Sequence, residues 1–332
     1  MAEIKTPGTG GNRYVPYSQR TGNESVVYFT RDLSPAGISK AYEQVCGSIR
    51  GKTALKLHTG EKNGPNIIPA AWVKAFMEKD LPDATIVETN TFYDGDRYTT
   101  EQHRETLRVN GWADFTTVDI TDEFGTTAFP VKGGKWFTEM YVGKSLPDYD
   151  SLVVLTHFKG HTMGGFGGSN KNIGIGCADG RIGKAMIHQR PGQGQWSIAE
   201  EELMERICES AKSVVDHFGK RITFVNVLRN ISVDCDCAGV EAAPVVTPNI
   251  GILASTDILA VDQASVDLIH SLGEKDRVAM LQRMSTRHGY RQLSYMKELG
   301  MGNDRYVLVD LDNCGARITA KEAAAAATPF KG

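Results

Sequence analysis

Short apolar runs, each closed by polar or glycine-rich residues, alternate along this chain with stretches of helical periodicity. VVYF at Val26–Phe29, TALKLHT at Thr53–Thr59 and TIVET at Thr85–Thr89 predict strands, while Ser34–Ile49 and IPAAWVKAFMEK at Ile68–Lys79 predict helices between them. Strand, loop, helix and strand in that order imply a crossover unit and a parallel or mixed sheet. A further helix is predicted over 97–112, whereas TTVDI and TAFPV are too short to fix a topology. SLVVLTHFK at Ser151–Lys159 is the clearest buried strand. Ala199–Phe218 predicts a helix, RITFVNVL at Arg221–Leu228 a strand, and ASVDLIHSL, DRVAMLQRM and YRQLSYMKELG further helices. RYVLVDL at Arg305–Leu311 supplies a last strand.

The expected fold class is therefore α/β: a parallel or mixed central sheet with flanking helices, and ligand loops at strand ends. Residues 1–25 are polar and glycine-rich and read as a flexible or draped arm. Residues 26–318 read as a single α/β domain, built as one body or as two lobes. Residues 319–332 form a tail whose alanine run favours helix by propensity alone.

Composition narrows the classes. The chain is 41% apolar and 23% charged, with 37 basic against 40 acidic residues, so its formal charge of −3 offers no basic face for nucleic acid. No apolar run approaches about eighteen residues, which argues against a membrane span, and the start lacks the apolar core of a signal peptide. Six cysteines in 332 residues are too sparse for a disulfide scaffold. The expected location is cytoplasmic, and assembly into a homo-oligomer is left open. Cys46 and Cys208, in helical segments, read as small buried hydrophobes.

Candidate chemistry concentrates in two segments. THFKGHTMGGFGGSNKNIGIGCADGRIGK, Thr156–Lys184, holds nine glycines in twenty-nine residues directly after the clearest strand. Such density implies tight turns or bare backbone close to a ligand, where open α/β sheets bind their ligands. The order of lysine and serine excludes the phosphate-loop pattern G-x-x-x-x-G-K-[ST]. His157 and His161 read as metal ligands, as acid/base groups, or as hydrogen-bonded structural residues. Lys159, Lys171, Arg181 and Lys184, with Asn170 and Asn172, suit a carboxylate or phosphate pocket, with Lys171 and Asn172 the preferred pair.

NISVDCDCAGVEAAPVV, Asn230–Val246, follows the strand RITFVNVL and carries Cys235 and Cys237. Their C-x-C spacing can direct two sulfurs at one metal or cluster; a redox or nucleophilic thiol pair and an inert pair are the alternatives. Cys177 and Cys314 are the cysteines that could complete a four-sulfur site. Asp262 reads as a helix N-cap or a group facing the site, as does Asp257. Lys56, His58 and Lys62, in the polar loop KLHTGEKNGPN, would line the same crevice.

Together KLHTGEKNGPN, HFKGHTMGGFGGSNKNIGIG, VDCDCAG and DILAVDQASVDLI resemble the family of uncharacterised iron–sulfur centre proteins, domain of unknown function 362, from about Val26 to Leu311. The most specific part is carried by His157, His161, Gly167, Gly168, Lys171, Asn172 and Gly174, and Asp262 matches the family's A-V-D-Q-A aspartate. The resemblance implies a cytoplasmic bacterial or archaeal protein with iron–sulfur binding, and implies no known reaction. Many relatives carry an added ferredoxin-type cysteine cluster that this sequence lacks.

Three functions follow. The first is a metal- or iron–sulfur-dependent enzyme acting on a small anionic metabolite. In it Cys235, Cys237, Cys177 and Cys314 supply metal ligands, and His157, His161 and Lys171 are catalytic. Lys56, His58, Lys62, Lys159, Asn170, Asn172, Arg181 and Asp262 bind substrate. The second is a non-catalytic metal or iron–sulfur protein, or an electron-transfer module with a redox partner. The third is a metal-free hydrolase or transferase with a cysteine nucleophile.

Overall fold

The computed structural model describes residues 11–330. The strands are β1 Glu24–Thr30, β2 Thr53–Lys56, β3 Thr85–Glu88, β4 Asp119–Ile120, β5 Thr126–Pro130, β6 Glu139–Gly143, β7 Ser151–His157, β8 Lys159–His161, β9 Gly165–Gly167, β10 Ile222–Leu228, β11 Gly251–Ser255, β12 Arg305–Asp310 and β13 Ala316–Ile318. The helices are α1 Pro35–Tyr42, α2 Ala70–Asp80, α3 Thr100–Val109, α4 Ser169–Gly176, α5 Ile182–His188, α6 Glu200–Phe218, α7 Ile258–Ser271, α8 Glu274–Thr286, α9 Tyr290–Glu298 and α10 Ala320–Ala324.

Nine strands form one mixed, mostly parallel sheet in the order β13-β12-β1-β11-β10-β7-β2-β3-β4. β10, β7, β2, β3 and β4 run parallel, and β11 enters antiparallel to both β10 and β1. GILAS, which forms β11, is a strand additional to those expected from the sequence. Two small hairpins, β5–β6 and β8–β9, stand apart from the main sheet.

β7 shows why its run is continuously apolar: every residue in it is buried, on both faces. Leu152 and Val154 pack with Ile173 of α4, Ala211 of α6 and Leu268 of α7. Val153 and Leu155 pack with Ile38 of α1, Phe76 of α2 and Leu107 of α3. Helices on both faces of the sheet make three layers. The parallel strands β2, β3, β7 and β10 therefore end along one edge, at Lys56, Glu88, His157 and Leu228. That edge carries the site.

The glycine-rich segment is not the loop its composition suggests. It folds into the β8–β9 hairpin, α4 and α5. Of its nine glycines only Gly165 has a positive φ, at 76°. The others serve mainly close packing: a Cβ on Gly168 would sit 2.5 Å from an Asp262 carboxylate oxygen, and one on Gly176 2.5 Å from the Lys56 Nζ.

Both ends of the described chain are docked. Arg20 is buried and pairs with Asp267 at 2.6 Å, fixing the later part of the expected arm, while residues 1–10 lie outside the described residues. At the other end Thr319 and Glu322 form a capping box on α10, and Thr328 pairs with Asn249. Among the described residues no helix is long and apolar enough to cross a membrane.

Candidate metal centre and anion cavity

A cavity of about 380 Å³ opens at the carboxyl edge of β2, β3 and β7. Lys56, Glu88 and Lys159 reach it from strand ends, Lys171 and Asn172 from α4, Lys184 and His188 from α5, and Cys235 and Cys237 from the segment after β10. Phe92, Tyr93 and Trp196 form an aromatic rim.

The two cysteine sulfurs lie 3.0 Å apart, and His58 Nε2 is 3.4 Å from Cys237 Sγ. One ligand atom from each of His58, Cys235 and Cys237 falls within 4.8 Å of the others. The pair shares a proton unequally. The hydrogen bond from Cys235 is the main cause that holds the Cys237 thiol well below its ordinary pKa, and the neighbouring His58 and His161 add to it. Cys235 is pushed up in turn by that bond and by burial.

His58 and His161 are held alike. Gly60 N–H donates to His58 Nδ1 at 2.9 Å, and Gly164 N–H donates to His161 Nδ1 at 2.9 Å. In neutral rings the proton then sits on Nε2, which points toward the sulfurs. Burial, followed by the Lys171 charge, lowers the His161 pKa to about 4. Its free nitrogen is therefore a donor, and its lone pair is occupied by backbone, so His161 is not available as a base.

His157 does something different from the expected catalysis. Its Nδ1 faces Asp236 at 2.9 Å and its Nε2 faces the Arg229 carbonyl at 2.6 Å, two acceptors in a fully buried setting. Lys159 Nζ also reaches Asp236, at 3.0 Å. Burial alone would raise the Asp236 carboxyl, but His157 and Lys159 outweigh it and hold the group well below the usual carboxylate range. This buried trio pins the residue between the two cysteines.

A second buried network lies beneath the cavity. Lys56 Nζ donates to the Leu57 carbonyl at 2.9 Å, and to Glu88 Oε2 and Asn172 Oδ1 at 3.2 Å each. Glu88 also lies 3.6 Å from Arg97, and Lys56 and Arg97 outweigh burial to keep its carboxyl ionised. Asn172 spends its amide on Thr156 and Leu155, so it orients Lys56. Lys171 stands apart: its ammonium has no hydrogen-bond or ion-pair partner among the described residues, and it lines the cavity.

Several expected ligand contacts are structural instead. Asp262 lies inside α7, whose N-cap is Asp257, and accepts the Ser169 and Asn170 N–H groups that begin α4 at 2.7 and 2.9 Å. Asn170 is fully buried against Gln292 and Cys208. Arg181 holds the carbonyls of Thr91 and Tyr98, and Lys62 lies 3.5 Å from Asp96, so both brace the rim loop. Cys177 is buried in the core, where burial pushes its thiol up to about 12. Cys314 is exposed in the turn after β12, with β1 and β11 between that strand and β10, a separation of about 14 Å at ordinary strand spacing. Neither joins Cys235 and Cys237, and no four-sulfur site is assembled among the described residues.

Glu88, Arg97, His188 and the rim aromatics were not anticipated. Glu88 had one usable signal: a carboxylate ending an apolar strand, as Lys56 ends its neighbour. His188 had none. Its Nδ1 is buried without a partner, its ring lies 4.9 Å from Trp196, and burial lowers its pKa to about 3.

The family described as "Domain of unknown function (DUF362)" matches residues 53–267. Among solved structures the chain is similar to the lactate racemase apoprotein from Thermoanaerobacterium thermosaccharolyticum, with 10% identity and a TM-score of 0.39 over 90% of this chain and 85% of that one. It is also similar to a protein from Thermotoga maritima, with 13% identity and a TM-score of 0.38 over 76% of this chain and 57% of that one. No curated protein matches the sequence.

Proposed function

From a chain that belongs to the DUF362 family, whose description names no activity, we infer a metal-dependent enzyme that acts on a small anionic metabolite. The observation that carries this reading is the convergence of His58, Cys235 and Cys237 on the cavity that also holds the unpaired Lys171. Two thiolates and one imidazole suit a single ion such as zinc and leave its fourth position open to substrate. A four-sulfur iron–sulfur cluster does not fit, since only two sulfurs meet here. The fit for one ion is good in one dimension and needs adjustment in another. Tetrahedral coordination places two sulfurs about 3.8 Å apart and sulfur and nitrogen about 3.6 Å apart. The sulfurs must therefore part from 3.0 Å, while His58 and Cys237, at 3.4 Å, are already close.

A bound ion would supply Lewis-acid polarisation of a substrate oxygen. The chain's own residues do the rest. Lys171 receives the anionic group, because its three N–H donors are free and anion binding relieves an unpaired charge. His161 donates from Nε2. To hold an ion through Nε2, His58 would need its proton on Nδ1, so the Gly60 N–H that donates there at 2.9 Å would have to turn away and Glu88 Oε1, at 3.8 Å, would have to close in as the acceptor. The rim of Phe92 and Trp196 restricts water.

Anaerobic purification with metal and labile-sulfide analysis tests the reading. About one equivalent of a single metal without sulfide supports it. Stoichiometric iron and sulfide would replace it with a cluster protein. Retained catalysis after complete chelation would favour the cysteine-nucleophile alternative, for which the thiolate bias of Cys237 is the supporting feature.

A further inference from the structure

We propose that Lys184 is the free amine of this site and condenses with the carbonyl group of a small 2-oxo acid whose carboxylate is held by Lys171. The proposal rests on the anionic-substrate reading above and names the substrate class.

The cavity lysines differ in the hydrogen bonds they make. Lys56 donates to three acceptors, one of them a carboxylate, and so needs all three protons of an ammonium. Lys159 is committed to Asp236. Lys184 differs from both. Its Nζ donates to Thr89 Oγ1 at 2.7 Å and to the Asn90 carbonyl, both neutral. Thr89 spends its own hydroxyl proton on the Gly176 carbonyl at 3.2 Å, so its oxygen can only accept from Lys184. Two N–H groups satisfy both partners, and a neutral amine has two. No described residue claims the remaining direction of the nitrogen, and the side chain lines the cavity.

The surroundings agree with that count. Burial is the main cause that lowers the Lys184 pKa to about 8, with Asp122 and Glu88 opposing it and Arg97 and Lys56 adding to it. No carboxylate lies within ion-pairing distance of Nζ among the described residues. An amine that loses its proton this readily is a nucleophile near neutral pH.

The cavity then divides its work. Lys171 has three free donors and suits a carboxylate, while Lys184 has a lone pair and suits an electrophilic carbon. The amine lies over β3, whereas the cysteines arrive from the far side of β7, after β10. One small acid can therefore meet the amine without displacing the metal ligands. In the step itself the Nζ lone pair adds to the carbonyl carbon, one amine proton passes to the carbonyl oxygen, and the second leaves with that hydroxyl as water, so the hydrogen bonds to Thr89 and Asn90 are given up as the imine forms. The carbinolamine loses water as the carbon–nitrogen double bond forms. Amine and ketone become imine and water, with no change of oxidation state.

Pyruvate with cyanoborohydride is the probe, applied to the full chain as purified, with metal content measured on the same sample. Peptide mass mapping locates the reduced adduct. A single adduct at Lys184, absent from Lys184→Arg and Lys184→Met, is the expected result. Half-labelling of Lys171→Met should need about tenfold more pyruvate. No adduct at Lys184, or adducts spread over surface lysines with Lys184 unmodified, would overturn the proposal without reliance on any variant. Labelled Lys184 in protein that binds no metal would leave this inference standing and remove the metal reading. Bound metal with no adduct would remove this inference alone.

Discussion

Replacing Asp236 by Asn removes one negative charge from a buried trio and leaves the Lys159 ammonium without a counter-ion. The side chains of Asp236 and Lys159 are 2% and 7% exposed, and their charged atoms lie 3.0 Å apart. At that distance the gross attraction is about 5 kcal/mol for an effective dielectric constant near 20. Removal of one partner from buried pairs typically costs about 3–5 kcal/mol. With its oxygen in the Oδ2 position Asn can still accept from His157 and Lys159, but it brings no charge to set against the buried ammonium, and its NH2 group then faces His157 Nδ1 at 3.0 Å. We therefore expect Asp236→Asn to destabilise the protein by about 4 kcal/mol, a large share of the roughly 5–15 kcal/mol of a folded domain. The double variant Lys159→Met/Asp236→Asn should recover most of the loss, to within about 1–2 kcal/mol of wild type, because no buried cation is left unpaired. Urea unfolding at neutral pH, followed by tryptophan fluorescence, reads both values. The pH dependence carries the same information. The folded Asp236 pKa is depressed, so its contribution is complete above the unfolded value near 4 and is lost as pH falls toward the folded value. Asp236→Asn should flatten that acid limb. A single variant within about 1 kcal/mol of wild type, or a double variant no better than the single, would refute the reasoning.

Three further outcomes follow. Asp262→Asn should cost about 2 kcal/mol, since the Ser169 and Asn170 N–H groups bond different carboxylate oxygens and the NH2 group of Asn would face one of them donor to donor. The Asp262 pKa is raised to about 6 by burial, so wild-type stability should fall as pH rises from about 4 to 6 and then level off, a slope the variant should lack in urea-unfolding titrations. Gly168→Ala should destabilise by about 1–3 kcal/mol, because its Cβ meets the Asp262 carboxylate, and a thermal melt would show it. Lys171→Met should leave stability within about 0.5 kcal/mol of wild type yet weaken binding of a small carboxylate at least tenfold by calorimetry, since the ammonium holds no internal partner.

The sequence made the scaffold of the site readable. β7 and β10 are rich in apolar residues and buried throughout because helices cover both faces of the sheet, and the segments that follow them had to emerge at a strand end. That placed the glycine-rich stretch and the cysteine pair at one edge, and the loop after β2 brought His58 to the same place. What the sequence concealed is which polar residues face the cavity. Asn170, Lys171 and Asn172 are consecutive, yet α4 turns Asn170 into the core and Lys171 toward the cavity, a distinction that a reading as loop could not make. Glycine density misled for a related reason, because a missing Cβ serves close packing as readily as a tight turn. Glu88, Arg97 and Lys184 meet only through the sheet order, which brings together residues far apart in the chain. The fate of Cys314 follows from the same cause: it shares a residue type with Cys235 but not a neighbouring strand.

The central claim, that one ion is held by His58, Cys235 and Cys237, is tested most directly by anaerobic cobalt(II) titration of the full chain. We expect sulfur-to-metal charge-transfer absorption that saturates at about one equivalent, with an intensity fitting two thiolates and d–d bands of a four-coordinate ion. The signal should vanish in Cys235→Ser/Cys237→Ser and weaken in His58→Ala, with circular dichroism reporting that each variant is folded. Folded wild-type protein without the charge-transfer band, or a band unchanged by loss of both cysteines, would contradict the account.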